Sequence, residues 1–230
     1  MQLNDFAITK RWPAQFPDRI QLYSLGTPNG LKASIALEEL QLPYELHVVD
    51  ITQGDQMTEE FLALNPNNKI PAMIDPNGPD GQPIAIWESG AILIYLAEKT
   101  GQLLPTAGAD RYAVLQWLMW QMGGLGPMMG QVGFFHKYAG REFEDKRPLQ
   151  RYADESRRLL GVLDRQLEGR AWLVDDTYSI ADIAVFPWVR NFVEWYEAGD
   201  LVGFDEFTNV ARVLEQFVAR DAVKRALEAG

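Results

Sequence analysis

The stretch Ser24–Gly30 reads SLGTPNG and sets a hydroxyl, Thr27, and a side-chain amide, Asn29, at the entry to an apolar-patterned helix. Donors of this kind, beside the unpaired N–H groups that open a helix, are suited to stabilising an anion such as a thiolate. Lowering a thiol pKa by one unit takes about 1.4 kcal/mol of preference for the thiolate, within reach of one or two charge-assisted hydrogen bonds. On local sequence alone, a turn and helix cap with no ligand at all is the commoner reading of the same residues. The chain contains no cysteine, so a thiol used here must arrive on a bound molecule. That absence also excludes a disulfide scaffold, a thiolate zinc site and redox chemistry on the protein's own thiols.

Two further dipeptides carry ligand-binding potential. Ile70-Pro71 lies between an Asn-rich loop and a strand-like run. A cis bond there would turn the Ile70 backbone outward to pair with an extended, peptide-like ligand, although trans is the commoner form. Glu88-Ser89 closes one strand and opens a helix, with Ser89 expected as N-cap. The helix end can accept a carboxylate and Glu88 an ammonium, so the pair could hold the end of an α-amino acid. Ser179–Asp182 (SIAD) has the form of a capping box and reads as a folding element. His47 and His136 have neither the spacing of a metal pair nor that of a triad, and no metal site is expected.

The elements that must position these residues are legible as short patterned runs. IQLY from Ile20 predicts a strand, and LKASIALEEL a helix with Ala33, Ala36, Leu37 and Leu40 on one face. YELHVVD, a short helix over 59–64, AMID, an antiparallel return IAIW after the turn DPNGPDGQP, and a helix from Ser89 to about Thr100 follow. This βαβαββα order packs as a mixed four-strand sheet, an α/β thioredoxin-like arrangement. A linker is expected at 103–110, after which strand signals stop and an all-helical domain over 111–230 is predicted. Residues 19–102 form the first domain, preceded by an extension, 1–18, whose Phe6, Trp12 and Phe16 should dock rather than stay in water. Glycines 123, 124 and 126 with Pro127 should bend or break the helix in which they fall.

Composition narrows the function classes. The 230 residues carry 21 Lys plus Arg against 32 Asp plus Glu, a formal charge of −11. Such a chain is repelled by nucleic-acid backbones and anionic lipid, so neither is an expected partner. No run approaches the length of about 18 apolar residues that a membrane span requires, and the simplest expected location is the cytoplasm.

LYSLGTPNG, NPNNKIPAMID, WESGAILIYLAEKTG, LQWLMWQMGGLGPMMGQ and YSIADIAVFPWV together resemble the glutathione transferase family, in particular its bacterial Nu-class disulfide-bond reductases. The resemblance runs from about Ile20 to Val189. It implies a glutathione transferase fold and a tripeptide site. In that site Thr27 and Asn29 face the glutathione sulfur, Ile70 pairs with the cysteinyl backbone before a cis Pro71, and Glu88 and Ser89 hold the γ-glutamyl end. Gln56 and Lys69 fall where the family contacts the glycyl region, and Arg151 where an arginine reaches the site from the helical domain; unaided, Arg151 reads as a solvated helix charge. The resemblance further implies a homodimer and room for one or two glutathione molecules, or oxidised glutathione. The implied activity is glutathione-dependent disulfide reduction. Conjugation to electrophiles, peroxide reduction or a non-catalytic binding module would use the same residues.

Overall fold

The computed structural model describes residues 2–229. The chain divides into two compact units: residues up to Gln102 together with the segment from Asp221 onward, and Leu103–Arg220.

The first unit is built on a four-stranded sheet of order β2-β1-β3-β4. β1 (Ile20–Ser24) is buried along its whole length, as a central strand covered on both faces must be. It pairs in parallel with β2 (Tyr44–Val48) across the connecting helix α1 (Pro28–Glu39). After α2 (Glu59–Leu64), β3 (Ala72–Asp75) runs antiparallel to β1, and β4 (Ile84–Trp87) returns antiparallel to β3. α3 (Ser89–Thr100) closes the layer and ends on Gly101 at φ 68°, whose N–H reaches back to the Ala97 carbonyl. The mixed sheet and the hairpin strand expected from the sequence are both present.

The N-terminal segment docks on this unit through two 3-10 turns, Leu3–Asp5 and Ala7–Lys10. Leu3 and Ile8 join a cluster with Tyr23, Val49, Phe61, Leu64, Ala72 and Ile74, and Phe6 and Trp12 pack against it. Phe16 stays 44% exposed, with the Arg19 guanidinium 4.0 Å above its ring. Polar ties fix the segment: the Gln15 and Phe16 N–H groups donate to the Glu45 carboxylate at 2.8–3.0 Å, and Arg11 meets Asp55 at 2.5 Å.

The second unit is helical: α4 (Gly108–Trp120), α5 (Gly126–His136), α6 (Arg147–Gln166), α7 (Ile180–Arg190), the short α8 (Gly199–Val202) and α9 (Thr208–Val218). A π-helical turn, Gln121–Leu125, interrupts α4 and α5 where the glycines were expected to break the helix. α5 is glycine-rich for a packing reason: a Cβ on Gly133 would come within 2.3 Å of the Tyr196 ring, and one on Gly126 within 3.1 Å of Trp188. α7 is buried from Ile180 to Val189 and starts at a capping box, with the Ser179 hydroxyl accepting from the Ala181 N–H and Asp182 accepting from the Ser179 N–H at 2.9 Å and the Leu173 N–H at 3.0 Å.

The expected second domain, 111–230, is corrected at both ends. α4 starts at Gly108, inside the presumed linker. The helical run after Asn209 breaks at Arg220, and α10 (Asp221–Ala229) joins the first unit, packing on α1. Ala222, Val223 and Ala226 are buried there, and Arg225 meets Glu38 at 2.7 Å. Periodicity marks an apolar face but does not say which neighbour covers it.

Candidate functional site

The register of the sheet gathers the candidate residues of the first unit at one end. Ser24, the last residue of β1, lies beside Val48, the last of β2, so the loops that follow both strands leave from the same edge. The first carries Thr27 and Asn29, the second Gln56. Ala72 opens β3 opposite Tyr23 and opposite Trp87, which ends β4. Ile70-Pro71, which is cis, and Glu88-Ser89 therefore flank that same edge.

Thr27 is the N-cap of α1, its hydroxyl oxygen accepting from the Gly30 N–H at 3.3 Å, and Pro28 occupies the first helical position. The cap reading and the anion-site reading are compatible, because the oxygen accepts from the helix while the hydroxyl proton can be donated elsewhere. Thr27 and Asn29 are both half-buried. The helix can approach the loop this closely only because residue 30 is glycine. A Cβ there would lie 2.0 Å from the Leu25 carbonyl oxygen and 2.5 Å from Ser24 Oγ.

Gln56 sits in a 3-10 turn, Asp55–Met57, with its amide nitrogen 3.4 Å from the Ile51 carbonyl. Its amide oxygen is buried and has no hydrogen-bond partner among the described residues, an unmet acceptor of the kind a peptide N–H satisfies. The loop is held from inside by Asp55, which accepts from the Asp50 N–H and from Arg11. Lys69 is exposed, and its carbonyl accepts from the buried Asn65 at 2.6 Å. Asn65 also accepts from the Asn67 N–H, and Asn68 reaches Met57 Sδ at 2.9 Å. These contacts tie the Ile70 loop to the Gln56 loop. Asn65 and Asp55 escaped the sequence reading, although an Asn or Asp heading a turn is its detectable signal.

Glu88 is exposed and adopts φ 73°, ψ 115°, a left-handed conformation that costs a non-glycine residue of the order of 1–3 kcal/mol and is characteristic of ligand sites. It occupies the cap position of α3. The cap thus falls one residue earlier than expected: Ser89 is the first helical residue and is buried. The Glu88 side chain is exposed, next to the N-terminus of α3.

Lys32 is the residue sequence reasoning missed most plainly. It lies on α1 with no solvent exposure, and its Nζ is 3.5 Å from Ser89 Oγ. Burial pushes its pKa down to about 7, opposed by the nearby Glu88 carboxylate. Its detectable signal was position: it lies one turn before Ala36, on the apolar stripe of the helix.

Arg151 lies on α6 in the other unit and is exposed. His47 is buried against Tyr23, with ring centroids 4.7 Å apart, and bonds Gln21 at 2.8 Å, a structural role. Burial lowers its pKa, with Glu45 pulling the other way. Among the described residues no group of three or more His, Asp or Glu side chains is placed to hold a metal ion. Among the described residues no helix is long and apolar enough to cross a membrane.

A single edge of the sheet thus presents hydroxyl and amide donors, a cis-proline backbone, a carboxylate and two helix N-termini: a site for an extended molecule with both charged ends and peptide groups. The glutathione S-transferase N-terminal domain model matches residues 27–99, and the C-terminal domain model matches 127–221. The disulfide-bond oxidoreductase YfcG of Escherichia coli is 50% identical over 172 residues, covering 74% of this chain and 79% of that protein. A glutathione transferase from Pseudomonas putida, with one glutathione disulfide bound per subunit, superposes with TM-score 0.97 at 62% identity, over 99% of this chain and 98% of its own. A family member from Pseudomonas fluorescens with two glutathione bound gives TM-score 0.96 at 65% identity, over 97% and 98%. Sequence and fold agree: the chain belongs to the glutathione S-transferase family.

Proposed function

We propose that this chain is a glutathione-dependent disulfide reductase of the Nu class, acting as a homodimer in the cytoplasm, where glutathione is held reduced. The observation that carries the reading is a donor-rich helix start, Thr27 to Gly30, at the end of β1 in a chain without cysteine. The protein supplies binding and electrostatics, and the ligand supplies the thiol. The relatives support this, one being named a disulfide-bond oxidoreductase and two others holding glutathione disulfide or two glutathione molecules.

The residues present fit glutathione. The exposed Glu88 carboxylate matches the γ-glutamyl ammonium, and the start of α3 at Ser89 matches the carboxylate beside it. The Ile70 backbone before Pro71 would pair with the cysteinyl residue, and Gln56, with its unmet amide oxygen, and Lys69 would take the glycyl end. Thr27 and Asn29 would then hold the thiolate. Bound glutathione supplies the thiolate that attacks one sulfur of a disulfide and expels the other as a thiolate; a second glutathione thiolate then attacks the glutathione sulfur of the mixed disulfide, releasing the second substrate thiol and glutathione disulfide. Orientation of two thiols in one site is the main gain.

The test is the steady-state reduction of 2-hydroxyethyl disulfide by glutathione with and without protein. We expect a rate well above background, and at least a tenfold loss in the Thr27→Ala, Asn29→Ala double variant. Each pKa unit regained by the thiol lowers its thiolate population at neutral pH about tenfold, an effect partly offset by greater intrinsic nucleophilicity. Full activity in the double variant overturns the site assignment. A folded wild-type protein with no rate above background overturns the reductase reading in favour of conjugation or binding alone.

A further inference from the structure

A buried lysine is costly, and this fold retains one directly beneath the proposed ligand's amino-acid end. Among the described residues Lys32 is the only buried Lys or Arg. It sits near the N-terminal, electropositive end of α1, where a cation is disfavoured, and it is wholly removed from water. A hydrophobic residue of similar length would pack there at no such cost. The position makes sense through what it faces. The Lys32 ammonium points from α1 to the start of α3, 3.5 Å from Ser89 Oγ, and lies within the field of Glu88.

Resting on the glutathione reading above, we infer that Lys32 is a positioning residue for recognition of the γ-glutamyl end, acting through Ser89 and Glu88. An ammonium donating to the Ser89 oxygen polarises that hydroxyl, making it a stronger donor toward a ligand carboxylate. The same positive charge, placed behind the start of α3, adds to the attraction of the helix end for that carboxylate. It also interacts electrostatically with Glu88, whose left-handed backbone already constrains it. Lys32 is buried behind these two residues and acts on the ligand through them.

The inference is specific to one end of the ligand, which gives a readout that a purely structural lysine would not move. Affinities of the full chain for glutathione and for cysteinylglycine, which lacks the γ-glutamyl group, are measured by calorimetry at pH 6, where Lys32 is still an ammonium, for the wild type, Lys32→Met and Ser89→Ala. Methionine keeps an unbranched chain of similar length, and Lys32→Gln serves as a second variant that keeps a donor without the charge. The wild type should prefer glutathione. Lys32→Met should lose at least tenfold of that preference, with cysteinylglycine affinity changed less than threefold, and kcat at saturating glutathione should fall much less than KM rises. Combined with Ser89→Ala, the losses should be less than additive, as for two residues acting as one unit. A preference that survives in folded Lys32→Met or Lys32→Gln overturns the role of Lys32 and leaves the glutathione reading intact. A wild type that binds both thiols alike overturns the glutathione reading and this inference with it.

Discussion

Adding one methyl group at residue 30 tests whether the close approach of α1 to the preceding loop is what builds the site. The Gly30 Cβ would stand 2.0 Å from the Leu25 carbonyl oxygen, and ordinary contact begins at 3.4 Å, so the helix start and the loop must part by about 1.4 Å. The atom met is backbone, and Leu25 is anchored by the hydrogen bond its carbonyl accepts from the Thr27 N–H at 2.7 Å. The clash cannot be relieved by turning a side chain. Overpacking of this kind costs about 3 kcal/mol, against about 1 kcal/mol that alanine gains over glycine inside a helix. The net loss of about 2 kcal/mol should lower Tm by about 4–8 °C for a chain of this size. The displaced Thr27 hydroxyl should cost about a hundredfold in rate, the usual price of a misplacement near 1 Å. Gly123→Ala is the internal control: nothing lies within 4 Å of its Cβ, its backbone is helical and it is exposed, so it should gain about 0.4–1 kcal/mol with unchanged activity. Thermal unfolding and the disulfide-reduction assay on both variants check this. A Gly30→Ala protein with wild-type Tm and a rate within about twofold would refute the reasoning.

Stability should carry the signature of Lys32. Its pKa is about 7 in the folded chain against about 10.4 unfolded, so between those values the unfolded state holds the extra proton. Wild-type unfolding free energy therefore gains about 1.4 kcal/mol per pH unit from this group as pH rises above 7, and nothing from it below. The stability advantage of Lys32→Met over wild type in urea titrations should shrink by that slope between pH 7 and 9, and a constant difference would contradict it. Asp182→Ala leaves the Leu173 and Ser179 N–H donors without their acceptor, and a loss of about 2–4 kcal/mol is expected by the same titration. Ile8→Ala, in the docked N-terminal segment, should cost about 2–4 kcal/mol although it is remote from the proposed chemistry; a loss below 0.5 kcal/mol would mean the segment contributes little to the core.

Much of the fold is legible in the sequence. The strands at Ile20, Tyr44, Ala72 and Ile84 are short apolar runs bounded by Gly, Pro and Asn, and local signals of that kind survive folding. Thr27, Ile70 and Glu88 stood out because each sits where a strand and a turn meet, and the sheet register then gathers them. What was not legible depended on partners distant in sequence. α10 shows an apolar face but not that α1 covers it, and the docked N-terminal segment shows aromatics but not Tyr23 and Phe61 beneath them. Lys32 was hidden by habit: a lysine on a helix is expected in water, and only the burial of α1 on every side from Gly30 to Leu37 puts it inside.

The return of α10 to the first unit also bears on how the chain can be made. The sheet that would bind glutathione emerges from the ribosome early, yet the apolar side chains of Ala222, Val223 and Ala226 that cover α1 follow only after all of Leu103–Arg220 has been synthesised. During translation the nascent α/β unit therefore carries an uncovered face of α1. A message truncated after codon 220 would encode every residue assigned to the ligand and still release a protein with that face open, a target for chaperones and proteases rather than a working enzyme.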